Sequence, residues 1–231
     1  MTHWTVFQEK LSRYARSGQP IHLWWREDDV SYDCDKLHIV LDILSKYQIP
    51  VLCGAIPKLI TQDMIQLLRG FPGAVVCQHG MFHKNNYIQD YKCEFDTADS
   101  LDLLIEGRDF LAKTFPNQFM PIYIPPWDNI SKTFKNTLLD NGWTAVSTHN
   151  YPLHQKRAYN SDIDLIDWVR SEEFGGEDFV IKQILQCFDN NDFNIGIVNH
   201  HRTIGLTGIE FIKKLLAEFN KYNNIVWELP F

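Results

Sequence analysis

The sequence predicts an α/β fold, a barrel-like arrangement of about seven mostly parallel strands, and three observations carry the prediction. Apolar runs of strand length alternate with longer stretches of helical period along all 231 residues. No GxGxxG stretch follows a strand, which argues against a dinucleotide-binding sheet. Asp, His and Trp gather where the apolar strands end, and in parallel barrels those ends converge on one rim.

The elements follow in order. IHLWW (residues 21–25) is a buried strand running into the charged REDD. Residues 35–47 carry Leu37, Val40, Leu41 and Leu44 on one helical face. PVLCGAIP (50–57) is a second strand, and TQDMIQLLRGF a short helix with Thr61 as its cap. GAVVCQHG is a third strand, broken at its histidine. A polar loop leads to a helix over 99–115. FMPIYIPPW is the fourth strand, ended by Pro125 and Pro126. A helix over 131–141 closes at Gly142. TAVSTH and DIDLIDWV are strands five and six, with a helix over 178–188 after them. NIGIVNHH is strand seven. A helix over 207–221 takes Thr207 as cap with Glu210 three residues on, and NIVWELPF is a last strand. No Ser-, Gly- or Pro-rich seam and no repeat interrupts the chain, so residues 1–231 are expected to form one catalytic domain.

Composition narrows the function classes. A net charge of −7 disfavours nucleic acid and anionic membrane surfaces as partners. The five cysteines are scattered without a CxxC pair, as in a reducing compartment. No segment is long and apolar enough to insert in a bilayer, and the N-terminus has no cleavable leader pattern, so a cytoplasmic location is expected. No oligomeric state follows from these features.

The chemistry begins in CQHGMFHKN. His79 and His83 stand four apart, a spacing that suits one face of a helical turn or a shaped loop. The segment is compatible with a metal clasp and with two imidazoles in a polar turn. A third ligand has to come from elsewhere. WWREDDV offers Asp28 and Asp29 at a strand end; adjacent residues on an extended strand point to opposite sides, so one can bind a cation while the other stands near its water. Two histidines and a carboxylate make a face with open positions, suited to Zn2+ and also to Fe2+ or Co2+. Hydrolysis at such a site needs a base and an acid. His200 and His201 in NIGIVNHHR are candidates for the acid, and Asp164 and Asp167 in DIDLIDW are carboxylates that can hold an imidazolium. Trp127 and Trp168 can wall a pocket or stack on a sugar.

These segments, in this order, resemble the polysaccharide deacetylase (NodB-homology, carbohydrate esterase 4) superfamily, in a divergent bacterial branch. The motifs read REDDV, HGMFHKN, YIPPWDN, DLIDW and IVNHH, spanning Ile21 to His201. The resemblance implies a distorted (β/α) barrel with a divalent metal held by Asp29, His79 and His83, Zn2+ foremost, with Co2+, Fe2+ or Ni2+ as alternatives. It implies Asp28 as general base, His200 as the acid ahead of His201, and Asp164 or Asp167 tuning that histidine. Trp127, Pro126, Trp168, His201 and Arg26 would meet or frame the substrate, the Trp127 N–H facing the oxyanion. Two positions depart from the family pattern. Ile124 stands where an arginine usually steadies the base, with Arg26 as a substitute, and Gly80 stands where Ser or Thr is usual.

The implied reaction is metal-dependent removal of an acyl group, N-acetyl foremost, from a carbohydrate such as a nucleotide- or lipid-linked precursor or an oligosaccharide. Hydrolysis of a non-peptide C–N bond in a small amide is one alternative. A catalytically inactive glycan-binding relative is another.

Overall fold

The computed structural model describes residues 1–32, 34–86, 92–150 and 159–231. The Cys34 side chain and part of the polar loop after the histidines lie outside what is described. Among the described residues the main elements are, in order, α1 (His3–Ser17), β1 (Ile21–Val30), α2 (Cys34–Ser45), β2 (Val51–Ala55), α3 (Gln62–Arg69), β3 (Ala74–His79), α4 (Leu101–Thr114), β4 (Phe119–Ile124), α5 (Lys132–Asp140), β5 (Ala145–Val146), β6 (Ile163–Asp164), β7 (Ile166–Asp167), β8 (Glu173–Phe174), α6 (Glu177–Asp189), β9 (Asn194–Asn199), α7 (Gly205–Phe219) and β10 (Ile225–Trp227). The main sheet runs β5-β4-β3-β2-β1-β9-β6, with β10 also against β1. The β1–β10, β3–β4, β4–β5 and β6–β9 pairs are parallel. This is the expected distorted (β/α) barrel: strands one to five follow one another across the sheet, and later strands continue from the other side of β1. β2 is buried throughout, and β9 and β3 nearly so, as parallel strands covered on both faces must be.

Contacts divide the chain into two compact units. The first comprises Met1–Arg26, Asp35–Val51 and Asn150–Phe231; the second comprises Glu27–Cys34 and Leu52–His149. In the first unit, α1 was not anticipated. Its signals are local: Thr2 Oγ1 accepts the Thr5 N–H, Phe7, Leu11 and Tyr14 are its buried residues, and Gly18 ends it at φ 72°. Those rings meet Phe188 and Phe219 edge-on or stacked. In the second unit, Met81, Leu104, Tyr123, Phe134, Leu138, Trp143 and Val146 form a continuous apolar cluster.

Three local expectations need correction. DIDLIDWV does not form one strand. The Asp164 carboxylate accepts the Ile166 N–H at 2.8 Å, a local bond that competes with the ladder, and β7 turns away to pair antiparallel with β8. TAVSTH is a strand only at Ala145 and Val146 among the described residues, with an isolated bridge at His149. The last helix starts at Gly205, because the Thr203 and Ile204 N–H groups both bond the His200 carbonyl and begin coiling a turn early; Thr207 lies inside it. Cys53, Cys77, Cys93 and Cys187 are buried and in no disulfide. Among the described residues, no helix is long and apolar enough to cross a membrane.

Candidate metal centre

Asp29, His79 and His83 all belong to the second unit. Asp29 sits near the end of β1 and His79 at the end of β3, and His83 follows in the loop beyond. The chain bends abruptly at each place. Asp29 has φ 62°, Gly80 58° and His83 51°, left-handed conformations that are uncommon outside glycine. The bends aim three donors at one point. Asp29 Oδ1 lies 3.2 Å from His79 Nε2 and 3.1 Å from His83 Nε2, and one ligand atom from each residue falls within 4.8 Å of the others. Among the described residues, this is the group of His, Cys, Asp and Glu that can hold an ion.

The donor chemistry fits a divalent metal. His79 is buried, and its Nδ1 lies 3.0 Å from the Ile124 carbonyl. That contact calls for a proton on Nδ1 and leaves Nε2 to bind an ion, the orientation seen in metal-ligating histidines. Both ring nitrogens of His79 therefore face oxygens, and a neutral imidazole can donate to only one of them. Burial alone would lower the His79 pKa, but the Asp29 hydrogen bond and the charges of Asp28 and Asp29 outweigh it, and the net direction is up. A cation in the Asp29 corner supplies the same positive charge without that second proton.

The loop carrying the histidines has its backbone groups engaged. The Gly80 N–H donates to the Ile124 carbonyl at 3.2 Å, and Lys58 N–H donates to the Met81 carbonyl at 3.1 Å. Fully buried Gln78 donates through Nε2 to the Gly80 and Leu104 carbonyls at 3.0 and 3.1 Å, and its Oε1 accepts the Trp143 indole N–H at 3.2 Å. The Met81 and Phe82 N–H groups point at the carboxylate of buried Glu94, at 3.0 and 2.6 Å. Burial pushes the Glu94 pKa up; the two N–H groups and the nearby histidines oppose the shift without cancelling it. Neither Gln78 nor Glu94 was anticipated as a site residue, although Gln78 directly precedes His79 in CQHGMFHKN. The one hint of Glu94 is Gly80, whose missing side chain leaves room for something else.

Asp28 is 3% exposed and lies beside the trio. A Cβ added at Gly54 would stand 3.1 Å from Asp28 Oδ1, 3.1 Å from Ile124 Cδ1 and 3.4 Å from His79 Cβ, so these groups crowd one spot. Position 124 thus brings a methyl group, not a cation, to the neighbourhood of Asp28. Cys53, on β2, is buried, and burial, with the Glu27 and Asp28 charges adding, holds its thiol far above the usual range. It is a protonated neighbour, not a nucleophile. Beyond β4, Pro125 leads into a short 3₁₀ turn, Pro126–Asp128, in which Trp127 has φ 58°. Its ring lies against His83, centroids 4.7 Å apart. Pro126 is buried and packs over Gly80.

The remaining sequence-predicted residues belong to the first unit. Trp168 donates its indole N–H to Asp164 Oδ2 at 2.9 Å, and its ring meets His200 edge-on at 4.8 Å. Asp167 Oδ1 accepts the Val169 and Arg170 N–H groups at 3.2 and 3.1 Å, closing the turn between β7 and β8. His201 and Arg26 are fully buried.

No protein-family profile matches the sequence, and no curated protein matches it. Solved structures do. The Bc1960 peptidoglycan N-acetylglucosamine deacetylase is 13% identical, with a TM-score of 0.60 over 87% of this chain and 82% of that one. The polysaccharide deacetylase Bc1974 from Bacillus cereus is 15% identical, with a TM-score of 0.54 over 91% of each chain. BA3943 from Bacillus anthracis, a CE4 family pseudoenzyme, is 12% identical, with a TM-score of 0.62 over 92% of this chain and 69% of that one. At such identities the likeness is one of fold. The chain has the fold of the CE4 polysaccharide deacetylases, one that carries both deacetylases and a pseudoenzyme.

Proposed function

We propose that the protein is a metal-dependent hydrolase that removes an acyl group, N-acetyl foremost, from a carbohydrate. One observation carries the reading: the Asp29, His79 and His83 donors converge beside a further buried carboxylate, Asp28. Asp29, His79 and His83 would hold the ion, Zn2+ foremost. When bound, it supplies Lewis-acid chemistry, acidifying water and polarising an acyl carbonyl. Asp28 takes the proton of the attacking water, since it stands beside the ligand set without belonging to it. The Trp127 N–H donates to the oxygen on which charge develops, and the left-handed backbone there supports that role. The resemblance names His200 for returning a proton to the departing amine; Trp168 meets its ring edge-on and donates to Asp164. The carbohydrate-active proteins that share the fold support a sugar substrate.

The test is elemental analysis of the purified protein together with acetate release from a panel of N-acetylated sugars, with and without added Zn2+ or Co2+. Near-stoichiometric metal and metal-dependent acetate release are expected, with both lost in Asp29→Ala and only release lost in Asp28→Ala. Protein that binds no metal and releases no acetate would overturn the reading.

One observation favours a second reading, a glycan-binding protein without turnover: apolar Ile124 packs by Asp28 where the resemblance expects an arginine. Metal binding and glycan affinity retained in both the native protein and Asp28→Ala, with no acetate release from either, would select it.

A further inference from the structure

We propose that Glu94 is a positioning residue of the metal centre, its carboxylate holding the 79–83 loop in the shape that brings both imidazoles to Asp29. This rests on the metal reading above. A Cβ at Gly80 would fall 2.0 Å from Glu94 Oε2 and 2.7 Å from Pro126 Cγ, so the carboxylate occupies the space a residue with a side chain at 80 would need. The hydroxyl-bearing residue expected there from the resemblance has no room.

Glu94 does not fill that space passively. Its two oxygens accept from consecutive backbone N–H groups, Oε2 from Met81 and Oε1 from Phe82. Those two residues lie between the histidines, and accepting both N–H groups at one carboxylate constrains the path from His79 to His83. The carboxylate is anchored in turn. Asn86 donates its side-chain amide to the Glu94 carbonyl at 2.6 Å and its N–H to the Cys93 carbonyl at 2.8 Å. Asn85 Oδ1 accepts the Cys93 N–H at 3.2 Å, and Asn129 Nδ2 donates to the Lys92 carbonyl at 3.1 Å. Residues 92–94 are thus clipped both to the end of the histidine loop and to the turn that carries Trp127. A carboxylate so placed also lends negative charge behind two metal-binding imidazoles.

The experiment measures Co2+ affinity by titration, following the visible absorption of the bound ion, with the melting temperature of the metal-free protein recorded alongside. Glu94→Ala is expected to weaken Co2+ binding at least about tenfold and to alter the absorption spectrum. Glu94→Gln keeps the volume but one acceptor oxygen, and is expected to fall between. Gly80→Ser alone is expected to weaken binding comparably, because its side chain displaces the carboxylate. In Gly80→Ser/Glu94→Ala the serine no longer meets the carboxylate and crowds only Pro126, so the loss is expected to be smaller than the product of the two single losses. A lower melting temperature with affinity and spectrum unchanged in Glu94→Ala would reduce the residue to a structural one and overturn the proposal. So would strictly multiplicative losses in the double variant. If Glu94→Ala does not fold, Glu94→Gln decides, since native affinity there overturns the proposal equally. Native protein that binds no Co2+ at all would instead defeat the metal reading itself.

Discussion

Three residues of the site, Asp29, His83 and Trp127, hold backbone conformations that cost on the order of 1–3 kcal/mol each outside glycine. No hydrophobic pattern announces such a conformation, so the sequence revealed which residue types gather here but not the bends that aim them. The aspartate pair shows the limit well. Alternation along an extended strand predicts that the two carboxylates part, but Asp29 itself departs from extended backbone, and what turns it toward the histidines is that departure. The crowding at Gly54 leads to a prediction at this scale. In Gly54→Ala the new methyl must push against Asp28 Oδ1 and Ile124 Cδ1, both at 3.1 Å. Stability is expected to fall by about 1–2 kcal/mol, as for mild overpacking. With Asp28 in the proposed role of base and not ligand, turnover is expected to fall further than metal affinity; acetate-release kinetics and metal titration of the same variant check this.

Elements were legible where the period was strong and the boundary had chemistry. The Thr61 cap of α3 was expected and is present, its Oγ1 accepting the Met64 N–H at 3.3 Å. The region 161–174 misled because Asp164 turns its carboxylate on its own backbone, a local competition that an alternating apolar pattern hides. Helix α4 offers the prediction here. Its buried Gly107 allows close approach: a Cβ there would stand 2.7 Å from Met81 Sδ, 2.8 Å from Gln78 Nε2 and 2.9 Å from Pro57 Cγ. Helix propensity alone would favour Gly107→Ala by about 1 kcal/mol. Overpacking costs about 1–3 kcal/mol and should win, leaving a net loss seen in urea unfolding. Gln78 precedes the first histidine and Met81 lies between the two, so weakened metal binding is expected with it.

At the scale of the whole molecule, the alternation of strands and helices sufficed to predict the fold class, because βαβ succession leaves few ways to cover both faces of a parallel sheet. It did not predict the contact-based division into two units, since β1 runs unbroken through both and no linker marks the change. All three metal donors lie in the second unit. An ion held at about a hundred times its dissociation constant adds about 2.7 kcal/mol to the folded state. For a chain of this length, each kcal/mol moves the melting temperature by about 2–4 °C, so saturating Zn2+ or Co2+ is expected to raise it by about 5–10 °C. Differential scanning fluorimetry before and after chelation checks the shift, and Asp29→Ala should abolish it.

The left-handed backbone at Asp29, His83 and Trp127 has a consequence for how this protein would change under selection. Glycine or asparagine relaxes such a conformation, so lineages screened for heat resistance alone, in metal-poor medium, are expected to lose these side chains early. Robustness would then be gained by erasing the proposed site, and the same fold would survive without it.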